Sequence, residues 1–210
     1  MDAAESRQRL VNELQHKGIS DPAILQAINT VPRHLFVPEN LQAFAYDDTA
    51  LPIGHEVTIS QPFVVAKMTA LLLGKEKLEK VLEVGTGSGY QAAILAQLVD
   101  EVYSIERIEP ILTHTQNLFK QLNYNNIHTL YADGSEGWSE FAPYDGIIVT
   151  AATQSLPIKL LEQLKIGGRM IIPIGSPTYQ ELQLITKRKK SFDVRRLDPV
   201  IFVPLKPGTQ

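Results

Sequence analysis

The segment spanning residues 80–90, KVLEVGTGSGY, restricts what this chain can fold into more than any other stretch. Val81, Leu82 and Val84 form a short apolar, β-branched run interrupted by Glu83, which predicts a buried strand rather than a helix. Gly85-Thr86-Gly87-Ser88-Gly89 ends that strand, and residues 90–98 (YQAAILAQL) follow with a wide apolar face and good helix formers. A strand, a glycine-rich turn and a helix N-terminus in this order build a crevice suited to a nucleotide. Glycines alone also serve in tight turns that bind nothing.

The next segment narrows the choice. Residues 100–105 (DEVYSI) predict a second strand ending at Glu106, an acidic residue about 20 positions beyond the glycines that can accept both hydroxyls of a ribose. A dinucleotide fingerprint asks for a third small residue where this chain has Tyr90, and no Lys-Ser or Lys-Thr follows the turn to cradle a triphosphate. Glu83 before the glycines suits a ligand with a positive end. S-adenosyl-L-methionine is such a ligand, with a sulfonium, and with an amino group and a carboxylate that backbone N–H groups could meet. A strand-end salt bridge is the other use for Glu83.

Composition sets wide bounds. The chain has 210 residues, is 44% hydrophobic and carries a net charge of −3, so nothing global points to nucleic acid. It has no cysteine, which excludes disulfides and thiolate chemistry. The start, MDAAESRQRL, has no apolar signal core, and no run reaches membrane-spanning length, so a cytoplasmic location with no membrane partner is expected. The expected organisation is one domain, 1–210, with N-terminal helices and an arm (1–60) before an α/β core (61–210).

Taken in order, residues 5–17 have helical spacing and Gly18 is placed to terminate the helix; Asp21-Pro22 then predicts an N-cap and N1 pair for a second helix. Residues 34–60 hold Pro38, Pro52 and Gly54 and predict an irregular arm, with at most a helical turn near residues 39–44. Ser60 precedes the apolar stretch PFVVAKMTALLL and is expected to N-cap that helix, where exposed N–H groups would also favour an anionic substrate. After a further helix over 108–122, strands are expected at 127–131, ending at Asp133-Gly134, at 145–150, ending at Thr150-Ala151-Ala152, and at 169–174. Asp133 could accept from the exocyclic amine of adenine and a Gly134 N–H could meet a ring nitrogen, although a plain turn explains the pair equally well. Closing strands are expected at 181–186 and 193–205, joined by a solvated tip, KRKK, at 187–190. The fold class is therefore α/β: a doubly wound, mostly parallel, seven-stranded Rossmann-like sheet with helices on both faces.

This pattern resembles the class I S-adenosylmethionine-dependent methyltransferases. More closely, VPRHLFVP, AYDDTALPIG, TISQP, VLEVGTGSGYQAAILAQL, a DG followed by GW, YDGIIVTAA, LKIGGRMIIPIG and a terminal FVPL resemble the protein-L-isoaspartate O-methyltransferases, in family order from about Val31 to Leu205. TISQP is the most specific of these blocks, because the general methyltransferase fold does not require it. The resemblance implies methylation of the free α-carboxylate of L-isoaspartyl residues in damaged proteins and peptides. The ester then closes to a succinimide that partly reopens to normal aspartate. It implies Ser60 as the catalytic residue, with Thr58 and Ile59 in the same substrate-facing segment. Glu83, Gly85, Gly87, Gly89, Glu106, Asp133 and Gly134 match the family's cofactor positions. Thr86, Ser88, Arg107 and Thr150 are counted with them, and Ala151 and Ala152 with the substrate side. The expected product is S-adenosyl-L-homocysteine. No metal is expected, since the five histidines (His16, His34, His55, His114, His128) show no metal-ligand spacing. No nucleic-acid partner and a monomeric state are expected. The chain departs from the family at Gly54-His55-Glu56-Val57, where a glycine and a glutamine commonly precede TIS.

The chemistry is consistent. A carboxylate is already ionised at neutral pH, so methylation needs no strong general base, and positioning carries the rate. Two rival readings remain open: a methyltransferase of another substrate class, nucleic acid or small molecule, and a non-catalytic module binding a nucleotide such as NAD. The place of the Asn-Pro-Pro-Tyr-like segment of amino-group base methylases holds Thr150-Ala151-Ala152 here, and Tyr90 and Glu83 argue against NAD.

Overall fold

Alternating apolar strands and amphipathic helices give a sheet covered on both faces, seen here in a computed structural model that describes residues 3–74 and 77–210. Helices α1 (Ala3–His16) and α2 (Pro22–Thr30) come first. α1 ends in a Schellman motif: the Gly18 N–H donates to the Gln15 carbonyl and the Ile19 N–H to that of Leu14, with Gly18 at φ +98°. Asp21 caps α2, its side chain accepting from the Ala23 N–H at 2.9 Å, and Pro22 opens the helix as expected.

The arm is more ordered than its sequence suggests. Besides the expected turn at Glu39–Phe44, it contains a hairpin of β1 (Leu51–Gly54) and β2 (Val57–Ile59), turning through His55 and Glu56 at positive φ. α3 (Pro62–Leu73) follows. The core then runs β3 (Lys80–Val84), α4 (Tyr90–Ala96), β4 (Glu101–Glu106), α5 (Glu109–Gln121), β5 (Ile127–Tyr131), β6 (Tyr144–Val149), α6 (Ile158–Glu162), β7 (Leu164–Ser176), β8 (Tyr179–Lys187) and β9 (Phe192–Val200).

The main sheet has seven strands in the order β5-β4-β3-β6-β7-β8-β9. The first five in that order are parallel, and β8 and β9 close it as an antiparallel meander. Strand order reverses beside β3, so the carboxyl ends of β3, β4 and β6 open around a switch point where ligands collect. Alternation along β3 sends Val81 into the core shared with α1–α4, and Leu82 and Val84 into the opposite core with α6 and the aromatics near Trp138. Trp138 is a packing residue there, edge-on to Tyr103 and Phe141.

Two expectations change in the closing strands. β9 stops at Val200, and residues 201–205 leave the sheet to cross beside the end of β6, where Ala152 exchanges hydrogen bonds with Val203 and Leu205. The basic run is only partly a solvated tip: the Lys187 ammonium donates to the carbonyls of Glu162 and Leu164, and Arg188 pairs with Asp193. No helix among the described residues is long and apolar enough to cross a membrane.

Candidate active site

A crevice of about 930 Å³ lies over the carboxyl ends of β3, β4 and β6, within the size range of small-molecule sites. The glycine turn forms its floor. Gly85 stands at φ +97°, and a Cβ there would collide with Thr150 Oγ1, which lies 2.7 Å from the Gly85 carbonyl and donates to it. Gly89 opens α4 at φ +85° against Thr115 and Phe119. Gly87 faces upward, so that a Cβ there would come 3.7 Å from Val57 Cγ1 and the β1–β2 hairpin covers the turn.

Much of the turn's hydrogen bonding is internal. The Gly85 and Thr86 N–H groups donate to the Ile105 carbonyl, that of Gly89 to Thr86, and that of Gly87 to Glu106 Oε2 at 2.9 Å. The Ser88 N–H is left without a partner among the described residues, and the Ser88 hydroxyl accepts from Tyr90 N–H. A carboxylate arriving here would meet one turn N–H group rather than several. Glu106 is buried and held from both sides, because Oε1 also accepts from the N–H groups of Arg107 and Ile108. Its position is thus fixed before any ligand arrives.

Most of the residues expected at the site meet in this crevice. Thr58, Ile59 and Ser60 form one wall. Gly85, Thr86, Gly87 and Ser88 lie opposite, with Glu106, Arg107, Gly134, Thr150 and Ala151 at the strand ends. Glu83, Gly89, Asp133 and Ala152 do not line it.

The position of Glu83 corrects the expectation of a carboxylate facing the ligand. Strand alternation turns it beneath α4, where it is fully buried and pairs with the Ser104 hydroxyl, while Oε1 has no partner among the described residues. Burial, opposed by the Ser104 hydrogen bond and aided by Glu106, pushes its pKa up to about 8, so it is neutral at pH 7. Asp133 sits just outside the crevice. It caps the turn Gly134–Glu136 by accepting from Ser135, and its other oxygen accepts from Gly208 N–H at 2.6 Å. Burial works to raise its pKa, but the Gly208 and Ser135 donors outweigh that and hold it below the ordinary value.

Ser60 is not a helix cap. Pro62 begins α3 with Gln61 at the N-cap position, and the free Phe63 N–H is taken at 2.7 Å by Asp48 Oδ1 from the arm. Asp48 also accepts from Gln61 Nε2 and Lys17 Nζ. Because Asp48 does the capping, the Ser60 hydroxyl makes no hydrogen bond to the described residues, while the residue lines the crevice.

Several wall residues went unseen in the sequence: Tyr90 and Gln91, Tyr179 at the start of β8, and the crossing segment at 201–206, whereas Val57 belongs to the departure at residues 54–57 already noted beside TIS. The quoted FVPL block was the available signal for the last of these. Gln180 anchors that crossing, its amide donating to the Phe202 carbonyl at 3.0 Å and accepting from the Phe202 N–H at 2.7 Å. Among the described residues no group of three His, Cys, Asp or Glu side chains is arranged to hold a metal ion.

The family profile Protein-L-isoaspartate(D-aspartate) O-methyltransferase (PCMT) matches residues 5–210. A protein-L-isoaspartate O-methyltransferase 1 of Nitrosococcus oceani is 52% identical over 96% of this chain and 95% of its own length. A protein-L-isoaspartate O-methyltransferase of Pseudomonas paraeruginosa is 50% identical over 99% of both chains. Among solved structures, a protein-L-isoaspartate O-methyltransferase superposes with a TM-score of 0.85 at 30% identity, covering 94% of this chain and 65% of that longer one. A Plasmodium falciparum protein described by the same activity, in complex with S-adenosyl-L-homocysteine, gives 0.80 at 27% identity over 95% of this chain and 98% of its own.

Proposed function

Since the chain belongs to the protein-L-isoaspartate(D-aspartate) O-methyltransferase family, we propose that its crevice seats S-adenosyl-L-methionine on the glycine turn and presents the free α-carboxylate of an isoaspartyl residue to it under Ser60. The protein is a repair methyltransferase. The residues present suit the cofactor: Glu106 is an immobilised acceptor for ribose hydroxyls, Ser88 N–H is free for the methionine carboxylate, and Gly134 and Arg107 flank the adenine end. When bound, S-adenosyl-L-methionine supplies a methyl group on a sulfonium, open to displacement by a carboxylate oxygen with the neutral thioether S-adenosyl-L-homocysteine as leaving group.

The chain's own part is positional. The substrate carboxylate is ionised without help, so no residue has to remove a proton. The Ser60 hydroxyl donates to one carboxylate oxygen and leaves the other free to react, and the β1–β2 hairpin excludes water from above. Attack cancels a negative and a positive charge, so a partly apolar enclosure favours the transition state over the separated ions. Thr58, Ile59 and Ala151 shape the substrate side, and Ala152 supports it from behind through its bonds to Val203 and Leu205. Glu83 and Gly89 act beneath the turn. The reading takes the chain as one unit, cytoplasmic and monomeric, acting on isoaspartyl-bearing proteins without a metal.

The observation that carries this reading is a serine whose capping duty has passed to Asp48, leaving its hydroxyl free in the crevice that also holds Glu106 and the glycine turn. Ser60→Ala should lower kcat on an isoaspartyl peptide by about 100-fold, the loss expected for one oriented donor, while S-adenosyl-L-homocysteine affinity by calorimetry stays within about 2-fold. Wild-type kcat in that variant would remove Ser60 from the mechanism. Equal methylation of an isoaspartyl peptide and its normal aspartyl twin would remove the substrate assignment.

A further inference from the structure

Arg33 is the largest fully buried side chain of the molecule's described residues, and no carboxylate pairs with it among them. Its guanidinium donates instead to three backbone carbonyls far along the chain: Nε to Ala45 at 2.8 Å, Nη2 to Thr49 at 3.0 Å and Nη1 to Ser60 at 3.0 Å. It lies 5.0 Å from the centre of the Tyr90 ring, and Tyr90 opens α4 directly after the glycine turn. One planar cation therefore ties both ends of the arm, and the main chain of Ser60 in particular, to the floor of the crevice.

A buried cation without a counter-ion is costly, and a neutral brace would hold three carbonyls with less penalty. Asp48, the carboxylate that acts on Arg33 through space, spends its hydrogen bonds on Lys17, Gln61 and the start of α3. The positive charge thus has no direct ion pair, only three carbonyl acceptors and the through-space pull of Asp48, behind the wall that Ser60 presents to the crevice, which suits a site that must receive an anion.

We propose that Arg33 is a positioning residue for methyl transfer: by fixing the Ser60 carbonyl it sets the direction of the Ser60 hydroxyl, and its charge favours the substrate carboxylate at that wall. The inference rests on the assignment of Ser60 above. The positional part acts through Ser60, so it must disappear when the hydroxyl is gone, whereas the part due to charge must not.

A double-mutant cycle tests this. Arg33→Lys keeps the charge but cannot reach all three carbonyls. It should lower kcat on an isoaspartyl peptide by about 20-fold with KM within about 3-fold, yet by no more than about 2-fold in the Ser60→Ala background. Peptide affinity measured by calorimetry with S-adenosyl-L-homocysteine present should weaken several-fold for Arg33→Gln and less for Arg33→Lys, because only the latter keeps the charge. A brace with no positional role would give the same loss in both backgrounds, and that result overturns the proposal. So does an Arg33→Lys enzyme with wild-type kcat. If the Arg33 variants do not fold, Tyr90→Leu loosens the guanidinium from below and should show the same non-additivity with Ser60→Ala; additive losses there also overturn it. An inactive wild-type protein on the isoaspartyl peptide would instead sink the functional reading itself.

Discussion

At Glu83, burial outweighs the hydrogen bond from Ser104, and the consequence is a stability that depends on pH. The folded pKa of about 8 lies above the ordinary 4.5, so the unfolded chain loses its proton first as pH rises. The contribution is fully present below pH 4.5 and is lost progressively as pH climbs through the window up to about 8. Holding Glu83 neutral at pH 7 costs roughly 3 kcal/mol on this account. Glu83→Gln removes that dependence. The variant should match the wild type in urea melts near pH 4.5 and exceed it by a few kcal/mol at pH 8; a constant difference across the range would show that Glu83 is ionised when folded. Asp48 makes a second residue-scale case. Asp48→Ala leaves the Phe63 N–H without its acceptor and should cost about 1–2 kcal/mol, with a loss of turnover as the arm loosens around Ser60. A variant with wild-type melting and turnover would contradict the capping role.

At the scale of elements, two walls of the crevice come from segments outside the core strands and helices: the β1–β2 hairpin on one side and the crossing after β9 on the other. Gln180, nearly fully buried on β8, fixes where that crossing begins by clasping both backbone groups of Phe202. Gln180→Ala should destabilise the fold by about 2 kcal/mol, because both Phe202 groups lose a partner. It should also weaken S-adenosyl-L-homocysteine binding several-fold in calorimetry, because the wall shifts. Unchanged affinity would mean that the crossing covers the crevice without shaping it. The helix at residues 62–73 was legible as an apolar run, but its cap was not. Ser60 stands where a cap is usually found, whereas Asp48 reaches Phe63 from 15 positions earlier in the chain.

For the whole molecule, a ligand that binds only the folded chain stabilises it by mass action. S-adenosyl-L-homocysteine at about 100 times its Kd should add about 2.7 kcal/mol and raise Tm by roughly 5–10 °C for a chain of this size. Ser60→Ala should keep that shift and Gln180→Ala should reduce it; no shift in the wild type would leave the crevice without its cofactor. The sequence by itself determined the parallel α/β core, the glycine turn and the acidic end of β4, because strand and helix periodicity and glycine backbone freedom act over a few neighbouring residues. It also marked Ser60, through a family motif and through a capping pattern whose capping part the structure overturns. Only the tertiary structure decided that Ser60 is free while Asp48 caps, that Glu83 lies under α4, and that Arg33 gathers carbonyls 12, 16 and 27 positions away. Those outcomes depend on which donors and acceptors meet after the arm has folded over the sheet. Pairings of that kind come from the packing of distant segments, and no local window of residues encodes them.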